Sequence, residues 1–269
     1  MAHASITPIP SWLEEHCFRL QDEGANVQNL NLNLRRLTNR MMQALTEALL
    51  KSQRIEIINL TSALSGHDPN HVILPFIPVL SGHPSLRIIY LSYNRLQAAS
   101  AIGATLRRNT TLLELYLDYN QLNTATAIAL AYGLEKNQTL KVLQLNSNKI
   151  GDAGGKALAL ALRDNTCLKS LGMNRNQLGM STGAAFLSVL EDNLSLTTIH
   201  IEENPDLVPL APIVKYMVRT NKAGRYLLKD NSGKFQSIWP LLLTRLDPDM
   251  MYFFLKENPD SIIPCGDGD

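Results

Sequence analysis

Four of the eight tyrosines in this 269-residue chain stand in two pairs of equal spacing, Tyr90 with Tyr93 and Tyr116 with Tyr119. Carboxylates interleave with the second pair, since Glu114, Tyr116 and Asp118 occupy alternate positions. Tyrosine offers a large apolar ring with a polar tip at low entropic cost, which suits it to recognition rather than to bond-making. Other residues have types that do chemistry, but not in sets. His200 and Glu202 form a His-carboxylate pair, and His67, Asp68 and His71 bunch in one stretch without a third ordered ligand for a metal. Gly151, Gly154 and Gly155 make a Gly-rich turn, yet no Lys-Ser or Lys-Thr follows as a phosphate loop requires, so they read as turn and close-packing positions. With no nucleophile beside a base and no cofactor motif, the expectation is a chain that is not an enzyme and holds neither cofactor nor metal.

Composition narrows the partners. Twenty-five Lys and Arg against 24 Asp and Glu leave a net charge of +1, so no global field draws in nucleic acid or an anionic membrane. Cys17, Cys167 and Cys265 are odd in number and far apart, which writes neither a disulfide framework nor a zinc site and suggests a reducing compartment. The most apolar run, Val72 to Leu80, is broken by Pro75 and Pro78, and the first residues lack a basic and apolar leader, so no membrane insertion is expected and a cytoplasmic place is.

A repeat positions these residues. Leu112-x-x-Leu115-x-Leu117-x-x-Asn120-x-Leu122 recurs 28 residues later as Leu140, Leu143, Leu145, Asn148, Ile150, and again as Leu168, Leu171, Met173, Asn176, Leu178. Outer copies run through Leu86, Ile89, Leu91, Asn94 and Leu96, and through Leu196, Ile199, Ile201 and Asn204. A second ladder, Asn109, Asn137, Asn165 and Asn193, keeps the same 28-residue step. Between the ladders apolar residues sit four apart, as in Leu130 and Leu134 or Leu158 and Leu162, which is one face of a helix. Each unit is therefore a short strand, a turn and a helix. Two weaker units precede, one on Val27, Leu30, Leu32 and Leu37 with Arg35 in the Asn place, the other on Ile55, Ile58 and Leu60 with Ala63 there. The second of these runs 31 residues, its extra length falling around Ser65 to His71, where a partner-contacting loop is expected. The glycosylation sequons at Asn109, Asn137 and Asn193 coincide with the ladder and read as structural.

One strand-helix unit cannot bury its apolar face alone, so units stack, with parallel strands on one layer and helices on the other. Strands pack ~4.8 Å apart and helices roughly 8 to 10 Å, so the stack bends with its sheet inside. The expected fold is α/β, a horseshoe-shaped solenoid with a concave parallel sheet, convex helices and helical caps at both ends. The expected organisation is residues 1–26 as an N-terminal cap, 27–221 as about seven repeats, and 222–269 as a C-terminal cap with a short tail. Ser11-x-x-Glu14 reads as a capping box opening a first helix with Trp12, Leu13, Cys17 and Leu20 on its apolar side; Trp239 falls in the second cap.

The pattern resembles the leucine-rich repeat family in its ribonuclease-inhibitor-like subtype, whose units are close to 28 residues and carry a full helix. The resemblance implies a protein-interaction scaffold. Its relatives include enzyme inhibitors, sensor regions of innate-immune receptors, and effectors of the Legionella kind that intracellular bacteria deliver into host cells. A short, cysteine-poor chain looks more like the last group, which would place it in a host cytoplasm. A regulator of a small GTPase is a further reading, since the activating protein of the nuclear-transport GTPase has this repeat type; its long acidic tail corresponds here only to Gly266-Asp-Gly-Asp269.

Counting each frame from its first leucine, the third, fifth and seventh positions point out of the concave face and the eighth sits at its rim. The candidate partner-binding residues are therefore Tyr90, Tyr93, Glu114, Tyr116, Asp118, Tyr119, Gln144, Asn146, Asn174, Arg175, His200 and Glu202. The expected partner is a protein or peptide gripped by a monomer.

Overall fold

The leucines of every frame are the core. Leu112, Leu115, Leu117 and Leu122 are at most 1% exposed, and their counterparts at Leu140, Leu143, Leu145 and Ile150 are fully buried. The computed structural model describes residues 8–22, 24, 26–64, 68–97 and 100–222. The helices expected around Trp239, the terminal tail, Cys265 and the stretch from Ser65 to His67 lie outside the described residues.

Among the described residues seven strands pair in parallel in sequence order: β1 (Asn29–Asn31), β2 (Ile57–Asn59), β3 (Ile88–Tyr90), β4 (Glu114–Tyr116), β5 (Val142–Gln144), β6 (Ser170–Gly172) and β7 (Thr198–His200). Their central residues, from Leu30 through Leu115 to Ile199, stand opposite one another and are buried, while most flanking residues are half exposed. A side-chain period of two on a sheet covered on one face requires that pattern. Opposite the sheet lie the helices: α1 (Ser11–Gln21), α2 (Asn39–Lys51), α3 (Pro69–Ile73), α4 (Ile77–Gly82), α5 (Ser100–Leu106), α6 (Thr124–Lys136), α7 (Gly151–Ala161), α8 (Met180–Leu190) and α9 (Ala211–Lys222).

Both asparagine ladders close backbone groups that strand and helix leave open. Asn120 donates through Nδ2 to the carbonyls of Leu91 (3.0 Å) and Leu117 (2.9 Å), while its Oδ1 accepts from the amides of Asn94 (3.0 Å) and Leu96 (3.1 Å). On the other ladder Asn137 donates to the carbonyls of Leu106 (2.7 Å) and Asn109 (3.1 Å), and Asn165, Asn193 and Asn221 each reach the ladder residue of the preceding repeat. Burial of Asn109, Asn137 and Asn193 agrees with reading those sequons as structural. This ladder continues one place further toward the N-terminus than asparagine does. His83 occupies it, 1% exposed, with Nδ1 accepting from the Ser85 amide at 3.4 Å, as Asn109 Oδ1 accepts from the Thr111 amide. Backbone groups of Leu49 and Ser52 lie beside the ring, and Nε2 makes no hydrogen bond of good geometry.

The longer second repeat does not hold one continuous helix. Asp68 caps α3 by accepting from the His71 amide at 3.1 Å, and Pro69 follows in the first turn. Pro75 and Pro78, which cannot donate inside a helix, then divide the segment into α3, a 3-10 turn at Leu74–Phe76, and α4. At the N-terminal end the expected capping box is corrected. Pro10 takes the extended position before α1, Ser11 is already helical, and among the described residues no side chain caps the first turn. A capping residue must stand outside the helix, which Ser11 does not. The box forms at α2 instead, where Thr38 accepts from the Met41 amide at 3.3 Å and Met41 Sδ from the Thr38 amide at 3.3 Å. Helix α1 covers the first repeat with Leu13 and Leu20, and the Arg35 guanidinium lies 5.0 Å from the centre of the Trp12 ring.

Candidate functional site

Parallel register places like residues side by side. Tyr90 and Tyr116 are direct partners on β3 and β4, and the interstrand spacing of ~4.8 Å is close to the separation of stacked rings. Their centroids lie 4.6 Å apart with planes inclined by 17°. Tyr93 and Tyr119 stack more nearly face to face, at 4.3 Å and 7°. These two occupy the eighth position, and in all seven frames that residue is left-handed: Leu34, Ser62, Tyr93, Tyr119, Ser147, Arg175 and Glu203 have φ between 52° and 64°. The turn demands the conformation, which costs a non-glycine residue roughly 1 to 2 kcal/mol, and it throws the side chain onto the rim. Tyr93 is 51% and Tyr119 45% exposed, while Tyr90 and Tyr116 are half buried. Neighbouring frames put Asn59 and Gln144 at the fifth position and Ser62 and Ser147 at the eighth, so each stacked pair is flanked at its own level by polar residues.

Carboxylates frame the inner pair. Tyr116 donates from its hydroxyl to Glu114 Oε2 at 2.6 Å. Burial, that hydrogen bond and the charges of Glu114 and Asp118 together push its phenol far above the ordinary tyrosine value. Asp118 is also pushed up by burial, against the hydrogen bonds it accepts from Asn146, whose amide and Nδ2 lie at 2.8 and 2.7 Å.

That last contact belongs to a chain of seventh-position bonds invisible in the sequence. Asn146 Oδ1 accepts from the Asn174 amide at 2.9 Å, and Asn174 Oδ1 from the Glu202 amide at 2.7 Å. Gln144 joins it, accepting from Asn146 Nδ2 at 3.0 Å and donating to Ser170 Oγ at 3.3 Å. Its carboxamide lies where a Cβ on Gly172 would be, so the glycine is what admits it. Asp118, Gln144, Asn146 and Asn174 thus tie one repeat to the next with atoms that the sequence left free for a partner.

The remaining candidates lie toward the C-terminal repeats. Arg175 donates to Glu203 at 2.6 Å on the exposed rim. Glu202 pairs with Lys215 of α9; burial pushes its pKa up, but the hydrogen bond and charge of the lysine outweigh burial and hold the pKa below the ordinary glutamate value. His200 beside it is exposed. The His-carboxylate pair therefore does not form an isolated dyad, because the lysine holds the carboxylate. Asp68 caps a helix, and among the described residues no three His, Cys, Asp or Glu side chains come together as a metal site. Among the described residues no helix is long and apolar enough to cross a membrane.

Seven strands in parallel sequence order, each followed by a helix and closed by buried asparagines, define a leucine-rich-repeat solenoid with an aromatic patch on its sheet. The family model described as Leucine Rich repeat matches residues 108–131 and 136–159. No curated protein matches the sequence. Two similar solved structures are actin-binding site 2 of leiomodin-1, 17% identical over 82% of this chain and 96% of that one with a TM-score of 0.38, and the tropomodulin C-terminal domain from Caenorhabditis elegans, 16% identical over 75% and 98% with a TM-score of 0.42.

Proposed function

We propose that the chain is a non-catalytic interaction module that holds a protein or peptide segment against its concave sheet, anchored on Tyr90, Tyr93, Tyr116 and Tyr119. The observation that carries this reading is the double stack: four rings in register on a sheet whose own core the leucines already fill. The left-handed turn does not need tyrosine, because Ser62 and Ser147 make the same turn in neighbouring repeats. Stacked rings with few remaining degrees of freedom lose little entropy on binding, which is why such residues anchor interfaces. Glu114 lies beside the anchor; Gln144, Asn146, Asn174, Arg175, His200 and Glu202 extend the surface toward the C-terminal repeats, with their mutual bonds holding its shape. The 28-residue step with a full helix supports the ribonuclease-inhibitor-like subtype.

The test is affinity capture with the native chain and with Tyr90→Ala/Tyr93→Ala/Tyr116→Ala/Tyr119→Ala, after circular dichroism shows both folded. Proteins retained by the native chain and lost from the variant are expected; identical capture by both would move the interaction off the tyrosines.

A further inference from the structure

Resting on the reading that the tyrosine patch binds a protein segment, we infer that the segment is cationic, a stretch of the partner that presents arginine or lysine to the rings. The third, fifth and seventh positions of the seven frames carry three ionised residues, Glu114, Asp118 and Glu202, and no lysine or arginine. Glu202 already has Lys215. Glu114 and Asp118 do not: among the described residues neither lies in an ion pair, and their hydrogen-bond partners are the Tyr116 hydroxyl and the Asn146 amides. Arg175, the rim cation of the sixth frame, is held by Glu203.

Tyr116 stands between these two carboxylates in sequence, with Glu114 on the same strand and Asp118 just past its end, each about 7 Å away along extended backbone. A ring face carries negative quadrupole charge, so a cation laid on it is attracted by the ring and by both carboxylates at once. Arginine fits best, because its planar guanidinium stacks on a ring while its fork of N–H groups reaches a carboxylate. An acidic or apolar segment would instead cover Asp118, already partly withdrawn from water, without a counter-charge.

A random linear peptide library selected on the folded full chain, with counter-selection on the four-tyrosine variant, separates this inference from the reading beneath it. Enrichment of Arg- or Lys-bearing peptides is the expected result. Acidic or uncharged winners that still need the tyrosines would overturn the cationic partner and leave the interaction surface standing. A selection that yields no tyrosine-dependent peptide overturns both. The enriched peptides are then titrated by fluorescence anisotropy against Glu114→Gln and Asp118→Asn, the second retaining an acceptor for Asn146. Each variant is expected to weaken binding about fivefold with an unchanged melting temperature, and native binding to weaken as salt is raised. Affinity indifferent to both variants would show that the carboxylates do not read the charge.

Discussion

At Tyr119 a bulky residue holds a left-handed backbone beside a stacked partner, and it gives the frame nothing that serine does not give at Ser147. The fold requires the left-handed turn but not a tyrosine in it, which leaves the ring free for the binding role proposed above. Tyr119→Asn should therefore change stability by less than about 1 kcal/mol, since the lost stack is offset by relief of the backbone, whereas Leu143→Ala, at a fully buried position, should cost ~2 to 5 kcal/mol through the cavity it leaves. Urea denaturation of the two variants decides it, and a Tyr119→Asn protein as unstable as Leu143→Ala would mean that the rim ring is part of the core. The orientation of these tyrosines was legible because the leucines fix the register and register fixes the face. Which surface side chains are engaged was not. Asp118, Asn146 and Asn174 each bond an amide 28 residues further on, and no local pattern marks a side chain whose partner is the backbone of the next repeat.

Between elements, the same service is performed by different chemistry from repeat to repeat. Helix α8 starts at Gly179 with no cap of its own, and Asp152 of the preceding helix supplies one, accepting from the amides of Gly179 (2.9 Å), Ser181 (3.2 Å) and Thr182 (2.8 Å). Burial raises the cost of that carboxylate's charge, but the donors outweigh it and hold its pKa at about 2. His83 is the converse case. Burial lowers its pKa, so the folded ring is neutral where the unfolded one, near the ordinary 6.5, takes up a proton. Below that value the unfolded state binds more protons, and stability falls with falling pH. His83→Asn, which copies the ladder at Asn109, should leave stability near native at pH 7 and exceed it at about pH 5, with the pH dependence between them flattened. Thermal melts across that range test it; parallel curves for both proteins would remove His83 from the pH response. Helix existence was readable from four-residue spacing. A cap supplied by the preceding helix was not, because a capping rule reads only adjacent residues and Asp152 lies 27 positions before Gly179.

A stack of identical units has no natural end, and each inner repeat finds its apolar partner only in its neighbours. The first repeat has a neighbour on one side alone. Helix α1 fills the other with Leu13, fully buried, and Leu20, 5% exposed, while Trp12 lies half buried beneath Arg35. The sequence signalled this cover through its apolar side, even though the expected capping box is absent from its start. With a net charge of +1 the molecule has little electrostatic repulsion to keep two uncapped ends apart. Replacing Leu13 with aspartate puts a charge at a fully buried position in the cover, so α1 should detach and open the apolar side of the first repeat to water. The expected outcome for Leu13→Asp is concentration-dependent self-association in sedimentation velocity, with far-UV circular dichroism retained because the inner repeats still support one another. A variant that sediments as the native chain does, with the same melting temperature, would show that the first repeat closes its own core and that α1 is an accessory to it.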